Sequence, residues 1–119
     1  MTASSAHTTS ILVVDDEPDL RTLYELTLLR EGHEVMSAGD LRGARECLAA
    51  QSFDVLITDM RLPDGLGLEL LRETVEGGRR ERCIVITAYG SAENAVEALK
   101  AGAFDYLTKP VDLKQLRTA

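Results

Sequence analysis

The chain has 119 residues, 45% of them apolar, and a formal net charge of -7. That length fits one compact domain, with a core of Leu, Val, Ile and Ala because aromatics are only 4% and Trp is absent. The acidic balance argues against direct nucleic-acid binding: the densest basic stretch, Arg79-Arg80-Glu81-Arg82, is short and interrupted.

Residues 1–9 are polar and lack the charged and apolar regions of a signal peptide, so they read as a disordered tail ahead of a domain over 10–119. The first apolar run, Ile11-Leu12-Val13-Val14, reads as a strand and stops at Asp15-Asp16. Glu17-Pro18-Asp19 opens a helix, with Pro in the first turn and acids near the N-terminus. Leu20, Leu23, Tyr24 and Leu28 follow at helical spacing until Gly32 ends it. His33 reads as an exposed loop residue, and residues 34–37 as a weak second strand.

Asp40 caps a second helix carrying Leu41, Ala44 and Leu48 on one face. Residues 55–58 are a buried third strand that stops at Asp59. Leu62-Pro63-Asp64-Gly65 is a turn. Leu66, Leu68, Leu70 and Leu71 feed a third helix ending near Gly77-Gly78. Residues 83–87 form a fourth strand that ends at Thr87. Ser91 caps a fourth helix whose stripe of Ala92, Ala95, Val96 and Leu99 is expected in the core. Residues 105–108 form a fifth strand that stops at Lys109-Pro110. A capping-box-like start at Asp112 to Gln115 opens a last helix of only about eight residues, so the parent protein is expected to continue.

Cys47 and Cys83 lack CxxC or His pairing and read as reduced, small apolar residues, which suits the cytoplasm. No apolar run approaches the roughly 20 residues that span a bilayer.

Five βα units in a row call for a parallel sheet with helices on both faces, a flavodoxin-like (βα)5 doubly wound fold. The weak second strand belongs at an edge and the strong first and third in the middle, giving the order 2-1-3-4-5. Ligands of such sheets bind where the order reverses, outside the carboxyl ends of strands 1 and 3. Asp15, Asp16 and Asp59 fall there. With Lys109 they leave a residual charge of about -2, which a bound Mg²⁺ would cancel. A carboxylate beside a cation can also attack phosphorus. Lys109 and the Thr87 hydroxyl would then help neutralise the phosphoryl oxygens.

The segments VVDDE, ITDMRLPDG, ITAYGS and ALKAGAFDYLTKP resemble the receiver domain of two-component response regulators, over nearly the whole chain from Ser10. The resemblance implies that Asp59 is the phosphoacceptor for a sensor histidine kinase. It implies Mg²⁺ held by Asp16, by Asp15 largely through water, by Asp59 and by the Met60 backbone carbonyl. It further implies that Lys109 pairs with the phosphoryl group, that Thr87 and Tyr106 are the switch residues, and that the Lys109–Pro110 bond is cis. The face of helix 4, strand 5 and helix 5 would carry the output. The sequence is most similar to receivers of NtrC-type and PilR-type sigma-54-dependent regulators, which implies ATPase and DNA-binding domains after this segment and homodimer formation.

Arg61 and Tyr89, two residues past Asp59 and Thr87, either tune water access or are plain solvated loop side chains. Two rival functions stay open. A haloacid-dehalogenase-type phosphatase would also use an aspartyl nucleophile, but it usually carries a second acid where this chain has Arg61. A pseudo-receiver would bind partners without phosphorylation, against which the intact Asp16, Asp59, Thr87 and Lys109 argue. Gly65-Leu66-Gly67 is no dinucleotide loop, because Leu70 stands where the third glycine belongs.

Overall fold

Period-two alternation in buried strands divides the core into two layers. The computed structural model of the chain describes residues 8–87 and 92–109, with the backbone alone for 92–94. Its elements are β1 (Ser10–Val14), α1 (Pro18–Arg30), β2 (Glu34–Ala38), α2 (Leu41–Ala50), β3 (Val55–Asp59), β4 (Arg61–Leu62), β5 (Gly65–Leu66), α3 (Gly67–Glu76), β6 (Arg82–Thr87), α4 (Ala92–Lys100) and β7 (Asp105–Thr108). Five strands form one parallel sheet in the order β2-β1-β3-β6-β7. This is the expected 2-1-3-4-5 order once the small β4–β5 ladder is counted separately.

Ile11, Val13, Ile57, Ile84, Ile86 and Leu107 pack on one face of the sheet with Tyr24 and Leu28 of α1. Leu12, Val14, Leu56 and Val85 pack on the other, against Leu41, Ala44 and Leu48 of α2, Leu68, Leu70 and Leu71 of α3, and Ala98 of α4. Both faces being covered explains why β1, β3 and β6 read as continuous apolar runs. Among the described residues β2 pairs only with β1, and it alternates exposed with covered, as an edge strand does.

The structure corrects several local expectations. Leu23 faces solvent with Leu26 and Leu29, because about 100° of helical rotation separates it from inward Tyr24. Leu66 is exposed and precedes α3 instead of packing within it. His33 is half-buried. The turn at 62–65 is a two-pair antiparallel hairpin, Arg61 opposite Leu66 and Leu62 opposite Gly65, closed tightly because Gly65 adopts φ +152°. On α4 the stripe is rotated. Ala98 is fully buried and Ala95 partly, whereas Val96 and Leu99 are 49% and 50% exposed. Among the described side chains of α4, Ala98 is the one buried on the core, and the larger Val96 and Leu99 are turned outward; the Ala92 side chain lies outside the described residues. The Ser91 cap, the Lys109–Pro110 bond and the last helix lie outside the described residues.

Polar ties lace the periphery. Asp40 caps α2 by accepting the Gly43 N–H at 2.7 Å. Arg45 of α2 reaches Glu73 of α3 at 2.6 Å. At the amino end of the sheet, the buried Glu81 carboxylate pairs with Arg79 at 2.8 Å and accepts the Phe53 N–H at 2.9 Å. Cys47 and Cys83 are both free, and burial pushes the Cys83 thiol up to about 12.

Candidate phosphoacceptor and metal site

Strand register assembles the site. Val14 pairs with Thr58, so the next residues, Asp15 and Asp59, sit at the carboxyl ends of neighbouring strands. Asp59 pairs with Ile86, whose successor is Thr87, and Thr87 pairs with Thr108, whose successor is Lys109. The Lys109 N–H then donates to the Thr87 carbonyl at 2.8 Å, fixing where the lysine side chain starts. The group lies at the β1/β3 switch point of the sheet.

Lys109 draws the acids together. Its Nζ lies 2.7 Å from Glu17 Oε1, 2.8 Å from Asp59 Oδ2 and 3.1 Å from Asp15 Oδ2. Burial alone would lower the pKa of this ammonium, but hydrogen bonds to Asp59, Glu17 and Asp15 override it and hold the pKa above the ordinary value. Asp15 answers differently. Desolvation raises its carboxyl above the usual range, and the Glu17 N–H at 2.9 Å and Lys109 offset only part of that. Arg21 of α1 ties down the Asp15 backbone by donating to its carbonyl at 2.8 Å.

Carboxylate oxygens of Asp15, Asp16, Glu17 and Asp59 all lie within 4.8 Å of one another. Asp15 and Asp59 are buried, and Asp16 and Glu17 open to solvent. Glu17 joins the cluster although its place in the sequence does not single it out. An acid just before Pro18 is equally at home at a helix N-terminus, and the only other signal was a third acid in succession. Four carboxylates against one ammonium leave a formal charge of about -3, more negative than the expected -2. An all-oxygen set of this kind fits a hard divalent cation.

The Met60 carbonyl accepts the Gly67 N–H at 2.8 Å, and the Met60 N–H donates to Ile86 at 2.9 Å. A carbonyl oxygen has two lone pairs, so one stays available to a ligand. Gly67 must be glycine: an added Cβ would lie 2.0 Å from the Asp59 carbonyl oxygen and 2.8 Å from Thr58 Oγ1.

Thr87 is fully buried at the end of β6. The Tyr106 ring packs against the core layer under α2, α3 and α4, and its hydroxyl is buried with no hydrogen-bond partner among the described residues. Arg61 is exposed, and its N–H donates to Asp59 Oδ1 at 3.3 Å. Tyr89 lies outside the described residues.

The chain is similar in sequence and fold to known proteins. The response regulator receiver domain family matches residues 11–119. The response regulator protein PilR of Pseudomonas aeruginosa is 54% identical over 106 residues, 89% of this chain and 24% of PilR. The DNA-binding transcriptional regulator NtrC of Azospirillum brasilense is 39% identical over 107 residues, 90% of this chain and 22% of NtrC. A response regulator from Burkholderia pseudomallei, solved with a phosphorylated aspartic acid, calcium ion and citrate, superposes with a TM-score of 0.87 at 30% identity, covering 93% of this chain and 65% of that one. The chain thus spans about a quarter of the length of the curated relatives it matches. Among the described residues, no helix is long and apolar enough to cross a membrane.

Proposed function

The chain belongs to the response regulator receiver domain family, and from that premise we propose that Asp59 accepts a phosphoryl group from the phosphohistidine of a sensor kinase. The observation that carries this reading is the grouping of Asp59 and Asp15 with Glu17 around the Lys109 ammonium at 2.7–3.1 Å. In the step, an Asp59 oxygen forms the new O–P bond as the N–P bond of the donor breaks, and the leaving imidazole takes up a proton. Lys109 moves a hydrogen bond from the Asp59 oxygen to a phosphoryl oxygen and so neutralises incoming charge. Asp15, Asp16, Asp59 and the Met60 carbonyl would hold Mg²⁺, with Glu17 at the open rim; bound there, the ion supplies further neutralisation of the phosphoryl oxygens.

The switch we infer runs from Thr87, whose hydroxyl moves toward the phosphoryl group, to Tyr106. Support comes from the buried Tyr106 hydroxyl, which has no hydrogen-bond partner among the described residues. The output face is that of α4, β7 and the helix expected after residue 110. Arg61 and Tyr89 tune water access to the acyl phosphate. The domain spans 10–119 after a short tail and works in the cytoplasm. It acts as a one-equivalent acceptor and not as a turnover enzyme, pairing with its kinase and with a second copy of itself. Its output is sigma-54-dependent transcription through ATPase and DNA-binding domains outside this segment. Similarity to PilR and NtrC supports that output.

Acetyl phosphate with Mg²⁺ is expected to add one phosphate to the chain, read by intact-protein mass, and Asp59→Asn is expected to abolish the addition. Equal modification of that variant would overturn the acceptor assignment. Turnover of a phosphate ester well beyond one equivalent would favour the phosphatase.

A further inference from the structure

The hairpin that follows Asp59 is pinned to a helix it does not belong to. Asp64, at its tip, accepts the Leu41 N–H at 2.8 Å through one carboxylate oxygen and the Arg42 N–H at 3.1 Å through the other. These are the first two residues of α2. The helix's own cap, Asp40, takes the third N–H, that of Gly43. Two carboxylates therefore satisfy three of the four amides that a helix start leaves without partners, and the one supplying two of them comes from 22–23 residues away. Gly65 strengthens the seat: a Cβ there would lie 2.6 Å from Leu41 Cδ1, so the turn rests directly on the first side chain of α2.

At its base the same hairpin holds the Met60 carbonyl through the Gly67 N–H at 2.8 Å. Between tip and base there are only two ladder pairs, Arg61–Leu66 and Leu62–Gly65. A ladder that short does not hold its own geometry in water. Its orientation must come from its two ends.

We propose that Asp64 is a positioning residue for the phosphoacceptor site: by capping α2 from across the chain it holds the β4–β5 hairpin, and with it the Met60 carbonyl next in sequence to Asp59, in the place from which a divalent cation could take that carbonyl together with the Asp59 carboxylate. The proposal rests on the Asp59 site assigned above. It separates two roles that one helix start combines. Asp40 serves α2 alone, whereas Asp64 serves α2 and the site together.

The test compares Asp64→Ala, Asp64→Asn and Asp40→Ala in the 119-residue chain. Without metal, the Gly67 amide should exchange its hydrogen faster in Asp64→Ala than in the wild type, and at the wild-type rate in Asp40→Ala. In a Mg²⁺ titration followed through the Met60 and Gly67 amide shifts, Asp64→Ala should need roughly three- to tenfold more Mg²⁺ for half-saturation. That is at or below the lower end of the loss seen for groups that directly orient metal ligands. Asp64→Asn, which keeps one side-chain carbonyl acceptor, should fall between. Asp40→Ala should lose thermal stability with its Mg²⁺ midpoint unchanged. The proposal is overturned if Asp64→Ala keeps both wild-type values, or if Asp40→Ala shifts them equally, since the effect would then be general to α2. A wild-type chain with no Mg²⁺ response would overturn the site assignment and the proposal together.

Discussion

Asp15 bears the electrostatic cost of the site. Its carboxyl is 2% exposed and its pKa is raised above 3.8, first by desolvation and only partly offset by the Glu17 N–H and Lys109. A raised folded value means that its contribution to stability is whole below the unfolded pKa and is lost as pH rises through the folded one. At neutral pH, without a cation, an ionised Asp15 therefore opposes folding. Asp15→Asn keeps an acceptor for the Glu17 N–H and removes the charge. It should raise the Tm of the metal-free protein in calorimetry. A fall in Tm would mean that the Lys109 ion pair outweighs burial. Asp15, Asp16, Asp59, Thr87 and Lys109 were legible because each ends an apolar run, and strand ends are where a parallel sheet binds ligands. Glu17 and Asp64 were not, because each had a sufficient local explanation as a helix start or a turn. Their partners, Lys109 and the α2 amides, are 92 and 22–23 residues away.

Elements show where sequence periodicity was enough. The apolar face of α2 packs as its spacing required, and so do Leu68, Leu70 and Leu71 of α3, while Leu66 stays outside that helix and exposed. α4 has both alanines and larger aliphatics, and periodicity alone does not say which arc meets the sheet. Neither did it disclose how the α3–β6 connection is held. Arg79 and Glu81 lie in a stretch notable beforehand only for being an interrupted basic run. Burial alone would raise the Glu81 pKa, yet the Arg79 guanidinium and the Phe53 N–H pull it below 4.5. A lowered folded value gives stability that is present above the unfolded pKa and is lost as pH falls through the folded one. Glu81→Gln should therefore cost about 1–3 kcal/mol in urea unfolding at pH 7, and the gap to wild type should narrow toward pH 3. A gap of constant size across that range would remove the charge from the explanation.

At the scale of the whole molecule, the sheet order was readable because burial grades the strands: β2 is weak and lies at the edge, while β1 and β3 are strong and central. The β4–β5 ladder was hidden because two residues a side carry no periodicity. If the acidic cluster takes a cation only when folded, Mg²⁺ at ten times its dissociation constant should add about 1.4 kcal/mol, raising Tm by roughly 5 °C. An equal rise from a monovalent salt at matched ionic strength would reduce the effect to screening. Lys109 also imposes a temporal order on the site. It closes a loop of 92 residues onto Glu17 and of 50 onto Asp59. A ribosome makes the acids of β1 and β3 long before that lysine, at about 5–20 residues per second. Every nascent chain thus passes through a stage with its acids complete and their counter-charge unwritten. The ion-paired grouping of Asp15, Glu17 and Asp59 described here exists only once Lys109, the residue after β7, has been added to the chain.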